Sequence, residues 1–128
     1  MTDEQGHDVE EKFGRWYLRG TSIPCTIYGF QIFESLGDME VCSEGAIIDG
    51  RKEGVWKSHS SDGILLMQIG FHNGERHGAV IGYDPSNDGK VFVEGFFSHG
   101  FKTGKWKIFS TDGSIERVEI YKEGLLIH

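Results

Sequence analysis

The last two thirds of this chain repeat a sentence, and the repeat limits what it can fold into more than any other feature. Residues 104–124 read GKWKIFSTDGSIERVEIYKEG, and residues 54–74 read GVWKSHSSDGILLMQIGFHNG. Closing glycines stand at Gly50, Gly74, Gly100 and Gly124, spaced 24, 26 and 24. Opening glycines follow at Gly54, Gly78 and Gly104, and mid-unit glycines at Gly63, Gly89 and Gly113. The two extra residues of the middle unit fall in YDPSNDG (83–89), turn chemistry in which an insertion costs little. A period in this range marks an array of supersecondary units, each too small to bury its own apolar face.

The side chains keep step with the glycines. Two residues after each opening glycine come Trp56, Val80 and Trp106. A ring column follows at His59, Tyr83 and Phe109; Phe71, Phe97 and Tyr121 precede the closing glycines by three; Leu65, Val91 and Ile115 follow the mid-unit glycines by two. A degenerate unit precedes these. With Gly37 as its mid-unit glycine, Phe30 takes the tryptophan column, Phe33 the ring column and Ile47 the aromatic column before Gly50. The stretch FGRWYL (Phe13–Leu18) reads as a terminal cap, which repeat arrays need.

Each unit reads as a β-hairpin. A short first strand such as Val55–His59 leads to Asp62-Gly63, Asp88-Gly89 or Asp112-Gly113, dipeptides suited to turns that need positive φ. A longer second strand such as Ile64–Phe71 follows. The expected fold is all-β: an elongated, twisted antiparallel sheet of tandem hairpins, eight or nine strands extending roughly 40 Å. One domain is expected. It comprises an acidic start and cap (1–26), a degenerate repeat (27–50), three clear repeats (51–74, 75–100, 101–124) and a terminal edge (125–128). No stretch has convincing helical periodicity, although a helical cap over residues 3–13 is an alternative for the start.

The signature resembles MORN repeats, and more closely the variant form found in small bacterial proteins, Gly-x-x-x-Gly-x-Trp, a ring residue, Asn- or Asp-Gly and a strand ending Tyr-x-x-Gly. Residues 50–74 and 100–124 match well; 74–100 departs at Val80 and at the insertion. The resemblance implies the hairpin fold and no catalytic motif. Proteins with this variant are often labelled antitoxins or immunity-like proteins, while other MORN arrays act as scaffolds or bind lipid.

Charge narrows the partners. The chain has 128 residues, 13 Lys+Arg and 20 Asp+Glu, a formal charge of −7. That disfavours nucleic acid and anionic membrane surfaces, which would repel it. Residues 1–44 hold nine acids and three bases, so the acidity concentrates in the first third. Glu34, Asp38, Glu40 and Glu44 bracket the degenerate unit, and Glu10 and Glu11 precede it. These six are the candidate partner-binding residues: a basic protein, such as a nuclease toxin, would be steered toward them, and blocking it requires no chemistry.

Other constellations are weaker. His59-Ser60-Ser61-Asp62 has the letters of a serine triad, but neighbours on one strand and turn cannot face each other as a triad needs. His72, His77 and His99 lie at turns and lack the spacing of zinc ligands; residues 84–89 are too short for an EF-hand. No phosphate-cradling glycine motif occurs. Lys102, Lys105 and Lys107 form a small basic cluster, blunted by Glu116, Glu119 and Glu123. Cys25 and Cys42 read as small buried hydrophobes, with a disulfide or a reactive thiol as alternatives.

The expectation is therefore a cytoplasmic, non-enzymatic protein-binding module without metal or cofactor, most simply an antitoxin or immunity-like protein acting by occlusion. A scaffold or homodimer pairing through edge strands, with Leu125–Ile127 as the suspect edge, is the alternative. A lipid-binding array using Lys102–Lys107 is a further one.

Overall fold

The structure, a computed structural model, describes residues 8–128. It is all-β. Strands β1 (Val9–Lys12) and β2 (Arg15–Leu18) form a small hairpin. Nine further strands follow: β3 (Ile27–Leu36), β4 (Met39–Ile48), β5 (Arg51–Ser60), β6 (Leu65–His72), β7 (Glu75–Asp84), β8 (Lys90–Ser98), β9 (Phe101–Phe109), β10 (Ile115–Lys122) and β11 (Leu125–Leu126). They pair strictly with their sequence neighbours, from β3 at one edge to β11 at the other, in one open antiparallel sheet. Residues 9–12 are strand, so the helical alternative fails there; residues 3–7 lie outside the described residues.

Two kinds of turn alternate along the chain. The closing glycines make the tighter ones. Asp49-Gly50, Asn73-Gly74, His99-Gly100 and Glu123-Gly124 all have positive φ at both residues, with φ 48° to 89°. That is the twist a two-residue hairpin requires. The mid-unit glycines serve longer loops. In Ser60–Ile64 and Ser110–Ser114, the Gly63 and Gly113 amides donate to the carbonyls of Ser60 and Ser110 at 2.9 and 3.0 Å. Positive φ there falls on the glycine alone and not on Asp62 or Asp112, so of each dipeptide only the glycine takes the positive φ that such turns need. The middle unit instead turns through a 3-10 segment, Pro85–Asn87, capped by the Asp84 carboxylate, which accepts from the Ser86 amide at 3.0 Å.

The first strand of each unit is longer than the sequence suggests. β5 begins at Arg51 rather than Val55, because the opening glycines lie inside strands rather than between them. Gly54, Gly78 and Gly104 have φ of 76°, 96° and 68° and sit within bulges. Residues 54–56 face the single residue Gly45, 77–79 face Gly70, and 104–106 face Gly95. A bulge of this kind re-aims side chains, and here it lays a tryptophan over the backbone of the preceding unit. A Cβ on Gly45 would lie 2.5 Å from the Trp56 ring, and one on Gly95 would clash with the Trp106 ring. Each indole then donates across the same junction: Trp56 Nε1 to the Ala46 carbonyl and Trp106 Nε1 to that of Phe96, both at 3.1 Å.

One face of the sheet collects these rings. Trp56 meets Phe71 edge-on at 6.3 Å, while Trp106 meets Phe97 at 5.2 Å and Tyr121 at 6.0 Å. A cation two residues after each of the first three closing glycines lies over them. Lys52 Nζ is 4.8 Å from the ring centres of both Trp56 and Phe71, Arg76 is 4.5 Å from Phe97, and Lys102 is 4.7 and 4.9 Å from Trp106 and Tyr121. Such contacts add cation–π attraction while the side-chain stems cover apolar surface. The β1–β2 hairpin closes this face at its first-strand end. Val9 and Trp16 join Cys25, Ile27, Phe30, Ile47 and Trp56 in the larger core, and Gly50 packs directly on the Trp16 carbonyl. Val80, Phe97 and Trp106 form a second core, with Ile69 touching both. The ring column lies on the opposite face, where His59, Tyr83 and Phe109 pair across strands with Leu65, Val91 and Ile115.

Candidate functional site

The β3–β4 hairpin carries most of the candidate acids. Its two ten-residue strands pair in unbroken register from Phe30–Gly45 to Leu36–Met39 and are joined by a turn at Gly37-Asp38. Alternation then separates the carboxylates. Glu34, opposite Val41, shares the tryptophan face. Glu40, opposite Ser35, and Glu44, opposite Gln31, share the other face. Phe33 lies between those two rows, opposite Cys42, with 70% of its surface exposed. Met39 beside the turn is exposed as well. Glu34 and Glu40 both border a cleft of about 420 Å³ at the hairpin's end, with Phe33, Val41, Ser60 and Ser61. The structure thus brings Glu34, Asp38 and Glu40 to one tip and sets Glu44 four residue pairs beyond Glu40.

Glu10 and Glu11 belong to β1. Glu10 accepts from the Gly20 amide at 2.8 Å and pairs with Lys12 at 3.3 Å and Arg19 at 3.7 Å, contacts that hold its pKa below the usual glutamate range. Glu11 is exposed.

Several other acids are engaged. Asp8 pairs with Arg19, Glu53 with His72 at 3.1 Å, and Arg117 with both Glu116 and Glu119 at 3.0 and 3.1 Å. Asp112 accepts from the Ser110 and Ser114 hydroxyls and the Ser114 amide, which push its pKa far down. Glu34, Asp38, Glu40 and Glu44 make no hydrogen bond or ion pair among the described residues, a state shared by the Asp62, Glu75, Asp88, Glu94 and Glu123 side chains. Between residues 20 and 50 the chain has five carboxylates and no lysine or arginine. The field of this hairpin is offset in part by Lys57, which stands opposite Glu44 on β5. It reaches Lys52, whose pKa is lowered by burial against the opposing pull of Glu34 and Glu11, and Cys42, whose thiol is pushed up by burial and by Glu44.

The weaker constellations resolve into structure. The Ser60 hydroxyl accepts from the Ile64 amide, and Asp62 stands exposed in the turn. His72, His77 and His99 do come together, with ring centres 6.0 and 5.0 Å apart. His77 Nδ1 accepts from the His99 amide at 3.2 Å, so that nitrogen holds a turn in place. No group of three His, Cys, Asp or Glu side chains among the described residues is arranged to hold a metal ion. Lys102 is spent on the Trp106 and Tyr121 rings, and Lys107 sits opposite Glu94. Cys25 and Cys42 are not joined in a disulfide; Cys25 lies in the core and Cys42 is half-buried. Among the described residues no helix is long and apolar enough to cross a membrane.

Three features escaped the sequence reading. Gly45, Gly70 and Gly95 form a fourth glycine ladder, spaced 25 and 25, and Lys52, Arg76 and Lys102 form a cation ladder. Both were visible as columns. The third, a groove beyond the ring ladder on the tryptophan face, has no repeating signature. It encloses about 690 Å³ and draws its lining from six strands, from Glu34 on β3 to Phe92 on β8.

Comparison with family models, with curated proteins and with solved structures returns no match for this chain.

Proposed function

We propose that this protein is a protein-binding module that neutralises a basic partner by covering it, an antitoxin or immunity-like protein of MORN-repeat type. The observation that carries the reading is the β3–β4 hairpin. On it Glu40 and Glu44 flank an exposed aromatic, Phe33, with Asp38 at the turn and Glu34 on the opposite face; none of the four makes a hydrogen bond or ion pair among the described residues. An apolar centre with a charged rim is the anatomy of a protein interface, and an unpaired acidic field speeds encounter with a cationic partner. A surface of this kind occludes without transforming anything.

The test starts with affinity capture from the source cell on the full chain. The captured protein should be basic, and stoichiometric amounts of this chain should block its activity. Combined reversal Glu34→Lys, Asp38→Lys, Glu40→Lys and Glu44→Lys should slow association roughly tenfold or more at low salt, a difference that shrinks as salt rises. Binding indifferent both to salt and to the four reversals would refute this surface.

Self-assembly is the second reading, favoured by the terminal strand. Leu125, Leu126 and Ile127 are all more than half exposed on an open sheet edge, with Leu125 at 71%. Such an edge offers unpaired backbone to a second copy. Sedimentation at high micromolar concentration should then show a dimer that Leu126→Pro abolishes; a strict monomer removes this reading.

A further inference from the structure

We propose that the groove on the tryptophan face is the docking site for a cationic amphipathic helix of the protein partner. This rests on the protein-binding reading above and names the element of the partner that is held. Met39, Leu66, Met67 and Phe92 supply its apolar lining, with Met67 and Phe92 respectively 37% and 43% exposed in the free protein. Unbranched methionines let such a surface adapt to an incoming side chain. The lining carries two carboxylates, Glu34 and Asp84, and no lysine or arginine among the described residues. An occupant must therefore be apolar on one side and positive at its flanks.

The floor decides between a helix and an extended peptide. Strands β4 to β8 are paired on both sides, so their backbone N–H and C=O groups are already used within the sheet. An extended peptide laid across them would find side chains only, leaving its own backbone groups unpaired. A helix brings its backbone hydrogen bonds with it and needs only side-chain contacts, the mode by which amphipathic helices fill apolar grooves. Five inter-strand steps separate β3 from β8, about 24 Å at roughly 4.8 Å each, which a helix of about 16 residues would span. On the groove floor the Ser43 and Ser58 hydroxyls share a hydrogen bond at 2.9 Å, which is internal to the floor and leaves the apolar rim unobstructed.

The probe is a fluorescein-labelled synthetic 18-residue peptide with leucine on one helical face and lysine on the other, titrated with the full chain. Two controls are a permuted peptide of identical composition lacking an apolar face, and the same helix with glutamate for lysine. The Leu/Lys helix should bind at least tenfold more tightly than either control. Met67→Lys and Phe92→Lys should each weaken it at least tenfold; both side chains are partly exposed, and a retained wild-type amide spectrum certifies the fold. Amide shifts on binding should centre on Leu66, Met67 and Phe92. Equal binding of the permuted peptide, or no effect of either lysine variant in a folded protein, overturns the groove. If a captured partner depends on Glu40 and Glu44 but is untouched by Met67→Lys, the groove proposal falls while the protein-binding reading stands. If the helix binds in the groove but no basic protein is captured, the groove stands and the antitoxin reading falls.

Discussion

Trp56→Ala is expected to cost about 3–5 kcal/mol of folding stability, the upper range for removing a buried aromatic side chain. The ring is 1% exposed and belongs to the larger core, between the β1–β2 cap and the first clear repeat. Its loss would leave a cavity against Ile47 and Phe71 that the stiff sheet backbone cannot close. It would also orphan the Ala46 carbonyl and strip Lys52 of one of its two rings. Trp106→Ala should cost less. Its core has three buried members rather than seven, and the site lies nearer the open β11 edge, where water and side chains can refill the space. Urea unfolding followed by far-ultraviolet circular dichroism measures both. A loss below about 1.5 kcal/mol for Trp56→Ala would mean that the cap and first repeat do not share a core.

The ring columns were legible because every unit places the same residue type at the same step of the same strand. Trp56 and Trp106, with Phe71, Phe97 and Tyr121, announce a shared face without any structure. Which face it is was not legible, because period-two alternation assumes an unbroken ladder. The bulges at 54–56, 77–79 and 104–106 break it, and their mark in the sequence is the glycine opposite, which reads as one more flexible residue in a chain with 19 glycines. The cations at 52, 76 and 102 follow turns, where a charge is ordinarily solvated; only the fold shows that each lies along a ring.

At the candidate site, the sequence located the acids but not their state. Glu10 and Glu34 look alike on the page, yet Glu10 is held by an amide and two cations while Glu34 is free. The sequence puts Phe33 in the ring column without showing which face that column takes. Alternation in β3, with no bulge opposite, turns it outward beside Glu40 and Glu44. The groove drew on non-equivalent positions of six strands, and nothing periodic could have pointed to it.

The central physical claim is that the first and last clear repeats are each seated on the one before through a tryptophan resting on a glycine. Trp106 of β9 lies on Gly95 of β8, across the junction between two repeats. Gly95 does not have positive φ, so alanine there is objectionable only because its methyl would enter the indole. A double-mutant cycle on Gly95→Ala and Trp106→Val, the smaller residue being the one that stands in this column at Val80, measures that seat directly. Gly95→Ala alone should destabilise by about 1–3 kcal/mol, as overpacking does. In the Trp106→Val background the same change should be nearly neutral, giving a coupling of about 1–3 kcal/mol. Equal costs in both backgrounds would contradict the account, because the repeats would then be joined by backbone pairing alone.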